Sequence, residues 1–173
     1  FTAADIIVPL GISYYTFSAL SYLLDVYWKR VEYEKSYSRF LLYLIYFPHI
    51  LQGPIEHYGR LGQRLKKELT FDYDRVCKGI QLMLYGYFKK LVIADRINPF
   101  ITTAYQNHNT TAGSILLLAM FLDVVYIYAD FSGCMDIGRG VSEIFGIEMD
   151  LNFNHPFSSK TVTEFWRRWH MTM

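Results

Sequence analysis

Hydrophobic residues gather in long blocks along this chain instead of alternating with polar ones. From Ile6 to Tyr27 roughly twenty residues run without a charge until Asp25, about the length a helix needs to cross a bilayer core. Lys29, Arg30, Lys35 and Arg39 follow directly. The next block, FLLYLIYFPHIL from Phe40 to Leu51, is apolar over only about a dozen residues, short for a span and of the length expected of a re-entrant or buried segment. Pro48, Gly53 and Pro54 break it, and Arg60, Arg64, Lys66 and Lys67 come after it. Basic loops stay on the cytoplasmic side, so this segment is expected to dip in and return.

Val76–Ile97 is mixed, because Lys89 and Lys90 interrupt the apolar GIQLMLYGYF. Either it crosses with its lysines snorkelling to an interface, or it lies at the surface. The loop from Asn98 to Ser114 holds no Lys or Arg, as a non-cytoplasmic loop would. Ile115–Tyr128 is the clearest span, and Ala112 and Ala129 bring it towards crossing length. Arg139, Lys160, Arg167 and Arg168 then restore basic character. The path is outside, in, dip, out, in. A last helix opens at Thr161, whose hydroxyl can cap free backbone N–H groups, with Glu164 placed to complete a capping box. If it runs on to Met173, Phe165 and Trp169 share one face, and Trp166 and His170 the neighbouring one. No repeat, low-complexity tract or Pro/Ser linker divides the chain.

Composition sharpens this picture. The chain is 52% hydrophobic and only 19% charged, below the quarter charged that soluble domains carry. Its mean hydropathy of +0.12 understates the membrane character because fifteen tyrosines score as polar. Tyrosine suits membrane interfaces, where one end of the ring is dry and the other wet. The fold class expected is mostly α: a polytopic integral membrane protein with transmembrane, re-entrant and interfacial helices. The net charge of +1 excludes nucleic acid, which calls for a basic face. Cys77 and Cys134 have neither disulfide-framework nor zinc-ligand spacing. A start at Phe1 leads us to expect an internal fragment of one transmembrane domain spanning residues 1–173.

Several residues offer chemistry. Asp123 and Asp130 fall on one helical face inside the clearest span, and Asp136 follows in ADFSGCMDIG. An intramembrane carboxylate is costly unless it meets protein, water or a cation. These three therefore line a polar cavity or are hydrogen-bonded structural groups. FPHILQGPIEHY places helix breakers beside His49 and His57. Its freed backbone groups are tolerated at membrane depth beside protein or water, so it either lines a substrate path or makes a tight re-entrant turn. No third ligand has the spacing to make a metal site of its histidines. His170, in TEFWRRWHM, could take a proton from a hydroxyl near neutral pH, or pack among tryptophans. Arg167 and Arg168 could hold phosphates or a carboxylate. Gly133, Gly138 and Gly140 do not follow a strand into a helix, which argues against a phosphate loop.

Four stretches, GISYYTFSALSYLLDVY, FPHILQGPIEHY, ADFSGCMDIGRG and NFNHPFSSKTVTEFWRRWHMT, together resemble the bacterial membrane-bound O-acyltransferases. The likeness is to their alginate O-acetylation branch and, more distantly, to the D-alanyl transfer protein of Gram-positive walls. It runs in order over essentially the whole chain. The resemblance implies a multi-pass protein of the bacterial inner membrane that moves an acyl group, acetyl in the alginate branch, from a thioester to a hydroxyl of an envelope polysaccharide. It implies no bound cofactor; acyl-CoA or an acyl carrier thioester is the co-substrate, and the acceptor is reached directly or through a partner acetyltransferase. His170 falls on one of the family's two characteristic polar positions. The other, usually regarded as catalytic, belongs to a Trp-His-Gly-like context that this chain does not include. Gln52, Asn154, Arg167, Arg168, Asp123, Asp130 and Asp136 are expected to bind substrate or line a channel. His57 stands where relatives often have arginine, and Cys134, Met135 and Arg139 also depart from the usual residues. Two rivals stay open: a transporter or channel that binds ions at Asp123 and Asp130, and a scaffold for a soluble acyltransferase.

Overall fold

The computed structural model describes residues 11–50 and 56–172. Among these residues the chain is helical, with no strand. It forms two compact units, residues 72–144 and the remainder.

The unit of residues 72–144 is built on one long helix. Asp72 caps helix α5 (Tyr73–Tyr87), its carboxylate accepting the Arg75 N–H at 3.2 Å. A π-helical segment (Phe88–Ala94) follows and leads into α6 (Asp95–Gln106). The helix thus continues past Pro99, where the sequence pattern predicted a loop; Thr103 Oγ1 donates to the Pro99 carbonyl at 2.8 Å. Helix α7 (Gly113–Ile144) returns antiparallel. It runs well beyond the span expected to end near Ala129 and takes the glycine-rich ADFSGCMDIGRG into the helix. At 1.5 Å per residue it measures roughly 48 Å, against a bilayer core of about 30 Å. Among the described residues it is the one helix long and apolar enough to cross a membrane.

Small residues let α5 and α7 meet. Gly79 faces Gly140, and Gly86 faces Gly133. A Cβ at any of these four would lie 2.6–2.9 Å from the opposing glycine's carbonyl oxygen. Apart from Met135, the buried residues of α7 are correspondingly small: Ala119, Ala129, Ser132, Gly133, Gly138, Gly140 and Ser142. Large ones, such as Leu117, Phe121 and Ile127, stay exposed in this unit. That inverts a soluble core and matches helix packing in lipid, where close backbone approach replaces the hydrophobic drive.

The other unit holds α1 (Ile12–Tyr27), α2 (Tyr37–Leu44), α3 (Phe47–Ile50), α4 (Tyr58–Arg64) and α8 (Val162–Arg168). Residues 6–10 of the first predicted span lie outside the described residues. The dipping segment resolves into α2 and α3, of 8 and 4 residues, neither long enough to cross. Tyr22, Tyr43, Tyr46, Tyr58, Leu61, Ile147 and Met149 make the core. Tyr43 and Tyr58 meet edge to face at 5.1 Å. Their hydroxyls are satisfied: Tyr43 donates to the Glu56 carbonyl at 2.8 Å and Tyr58 to Glu34 at 2.5 Å. Gly146, at φ 78°, turns the chain so that Ile147 and Met149 reach this core.

Candidate functional site

Helix α8 begins as its sequence predicts. Thr161 Oγ1 accepts the Glu164 N–H at 3.1 Å, while Glu164 reaches back one residue further than a capping box requires, to the Lys160 N–H at 2.9 Å. Phe165 and Trp169 stack at 5.5 Å on the shared face expected. The helix does not run to the end of the chain, however. It closes at Arg168, Trp169 is extended, and His170 sits in the left-handed region at φ 49°. His170 therefore does not share a helical face with Trp166. It lies in a short turn, half-buried, with the Phe153 ring 6.4 Å from its own. Burial pushes its pKa below the usual 6.5, which keeps the imidazole neutral, the form that accepts a proton.

The turn is strapped to residues 152–154. The Asn154 N–H donates to the Arg168 carbonyl at 3.0 Å, and the Met171 N–H to the Asn152 carbonyl at 2.8 Å. Asn152, only 1% exposed, also accepts at Oδ1 from the Thr172 N–H and hydroxyl, at 3.2 and 2.9 Å. Asn154, expected to bind substrate or line a channel, contributes main chain to this strap, and its side chain is exposed. Arg168 pairs with Glu164 at 2.6 Å, one turn back. Arg167 is exposed and has no ion pair among the described residues. Gln52 lies outside the described residues.

His57 joins a second arrangement in the same unit. Its Nδ1 lies 2.9 Å from Oδ2 of buried Asp25 and 3.1 Å from Ser21 Oγ. The carboxylate can only accept, so Nδ1 is the donor of this bond. His57, Ser21, Phe17, Leu20, Leu24 and Thr172 line a cavity of about 420 Å³. Thr172 thus ties the His170 turn to the cavity that holds His57.

The three aspartates belong to the unit of residues 72–144, and each has a polar partner. The Tyr105 hydroxyl donates to Asp123 at 3.3 Å. Asp130 takes Lys90, and Asp136 takes Lys89 at 2.5 Å with Arg139 at 3.4 Å. Lys89 also donates to Ser132 at 3.0 Å and is buried. Lys89 is buried and Lys90 half-buried, and both turn onto α7 to meet its carboxylates. The π-helical segment lets two adjacent residues do this, because its wider turn carries the chain around Gly133, whose Cβ would meet Lys89 Cβ at 3.3 Å. Both carboxylates are thereby neutralised, the condition for keeping such groups in an apolar setting.

Sequence reasoning missed Asn152, Asp25 and the inward lysines. Asn152 carried a signal, as the first asparagine of the Asn-Phe-Asn motif. The lysines carried none, since a π turn leaves no mark on hydrophobic periodicity.

The sequence pattern of the membrane-bound O-acyltransferase family matches residues 32–173. A "Probable alginate O-acetylase" of Azotobacter vinelandii is 32% identical over the whole chain, which covers 34% of that protein. A teichoic acid D-alanyltransferase of Bacillus subtilis is 33% identical over 98% of the chain and 43% of its own length. A peptidoglycan O-acetyltransferase of Helicobacter pylori is 28% identical, with all of this chain and 38% of that protein covered. The chain spans about a third of the length of the alginate relatives it matches.

Proposed function

Because the chain belongs to the membrane-bound O-acyltransferase family, we propose that it forms part of a multi-pass enzyme of the bacterial inner membrane. This enzyme transfers an acyl group from a thioester to a hydroxyl of a cell-envelope polymer. The donor is acyl-CoA or an acyl carrier, used as co-substrate. The acceptor is met directly or through a partner acetyltransferase.

The observation that carries this reading is the His170 turn. A neutral, half-buried imidazole is held in a backbone conformation that costs energy, in the motif the family match includes. In acyl transfer the acceptor hydroxyl must lose its proton as its oxygen attacks the thioester carbonyl. The C–S bond then breaks, and the thiol leaves with a proton. His170 raises the nucleophilicity of that hydroxyl, as base or as orienting group beside the second histidine the resemblance implies. The cavity bordered by His57 and Thr172 supports FPHILQGPIEHY as part of a substrate path.

The relatives' names cover acetyl and D-alanyl groups at nearly equal identity, 32% and 33%. The acetyl assignment draws on the alginate and peptidoglycan relatives. An ion-binding role at Asp123 and Asp130 loses support at Asp130, which already holds Lys90, whereas Asp123 takes the Tyr105 hydroxyl.

Labelled acetyl-CoA and alginate, supplied to the reconstituted full-length protein alone, test the proposal. Transfer without a soluble acyltransferase is expected on the direct route; where a partner acetyltransferase must be added, transfer that survives in His170→Ala would favour the scaffold. His170→Ala should lower turnover about 10²–10⁴-fold if His170 is the base, while membrane insertion is kept. A smaller loss assigns it an orienting role. Wild-type turnover would reduce His170 to a packing companion of Trp169 and Phe153.

A further inference from the structure

We propose that Asn152 is the positioning residue for His170. This rests on reading His170 as a reaction-centre residue.

The argument starts from strain. A non-glycine residue at φ 49° persists only where its surroundings over-determine it. Helix α8 ends two residues before His170, so its own hydrogen bonds do not fix the turn. Contacts from residues 152–154 do. On one side the Asn154 N–H holds the Arg168 carbonyl at 3.0 Å. On the other, Asn152 makes three bonds: its carbonyl takes the Met171 N–H at 2.8 Å, and its Oδ1 takes both donors of Thr172. Trp169 and His170 are bracketed between them, and Phe153 fills the gap with its ring edge-on to Trp169 at 5.0 Å. The Thr172 main-chain N–H can only donate, so it fixes which end of the Asn152 amide faces it.

Asn152 is the side chain of this strap that is fully buried and locked by two bonds. It does not touch the reacting atoms; it sets where they meet the imidazole. Misplacing a catalytic group by an ångström can cost about 10²-fold in rate, so a strap of this kind has a direct kinetic reading.

The test is a double-mutant cycle in the reconstituted full-length enzyme, with labelled acetyl-CoA and alginate. Asn152→Ala is expected to lower kcat about ten- to a hundredfold, with KM for acetyl-CoA little changed. In the His170→Ala background the same change should have no further effect, since the group it positions is gone. Thr172→Val, which removes the hydroxyl donor alone, should give a smaller loss of the same kind, and Thr172→Ser should restore the rate. This pair carries the test if Asn152→Ala does not fold. An equal loss from Asn152→Ala with and without His170 would overturn the proposal. A Thr172→Val enzyme indistinguishable from wild type would do so too. Should the wild type transfer nothing, with or without a partner acetyltransferase, the functional reading fails by itself. Histidine-labelled NMR then decides the positioning claim: the His170 ring signal, assigned by its loss in His170→Ala, should shift in Thr172→Val and return in Thr172→Ser. A signal unmoved in Thr172→Val would overturn the claim.

Discussion

His170 and Glu34 show opposite consequences of what surrounds a titratable group. Burial lowers the His170 pKa below 6.5. The folded protein therefore binds this proton less readily than the unfolded chain does. Its contribution to stability is present above the unfolded pKa and is lost as pH falls through the folded one. For a base, activity follows the same limb, so kcat/KM plotted against pH should hold to a pH below 6.5 before it falls. An inflection at or above that value would contradict a buried neutral imidazole. Glu34 is held down for another reason: Lys66 at 2.7 Å, the Tyr58 hydroxyl and the Ser36 N–H bring its pKa from 4.5 to about 2. Its contribution is present above 4.5 and disappears as pH falls towards 2. Glu34→Gln should lower the melting temperature at neutral pH and flatten its decline between those limits. An unchanged acid decline would show that this network contributes nothing. The Thr161 cap was legible in sequence because capping is a local rule. Glu34 was not, because its partners lie 24 and 32 positions away.

At the scale of elements, two glycines on α5 and two on α7 recur at a seven-residue spacing, 79 and 86 against 133 and 140. That spacing keeps each pair on one face of its helix. Gly86→Ala should push its new Cβ into the Gly133 carbonyl, and overpacking of this kind costs roughly 1–3 kcal/mol. Gly113→Ala is the internal control, since nothing lies within 4 Å of its Cβ position. Thermal unfolding of the two variants should therefore separate; equal midpoints would mean that the close approach is not needed. Lys89→Met should also destabilise, because it leaves Asp136 without its nearer cation beside a buried Ser132. The heart of the second span, 115–128, was legible from its unbroken apolar run, and α7 does cover it. Its continuation to Ile144 was not, because glycine, aspartate and arginine read as a helix end until a partner helix supplies cations and a close backbone. The segment of Lys89 and Lys90 was ambiguous for the same reason: the residues that decide its environment sit on α7.

The whole molecule poses a question of sidedness. The basic residues that follow α1 and those around α4 flank α2 and α3, which at 8 and 4 residues are too short to cross. If the positive-inside rule governs, residues 29–36 and 60–71 share the cytoplasmic side. The connection between α6 and α7 is shorter than the sequence suggested, residues 107–112, because the helix continues past Pro99 to Gln106. It carries no Lys or Arg, so the same rule predicts it on the opposite side. The chain can be tested in the full-length protein after Cys77 and Cys134 are replaced by serine or alanine. Single cysteines placed at exposed Tyr33, Lys67 and Asn109 are then labelled with a membrane-impermeant maleimide, in intact cells and after permeabilisation. Positions 33 and 67 should label only after permeabilisation, and position 109 before it. Opposite behaviour of 33 and 67 would mean that the chain between them crosses after all. Labelling of all three on one side would mean that α5 to α6 and α7 form a hairpin that does not span.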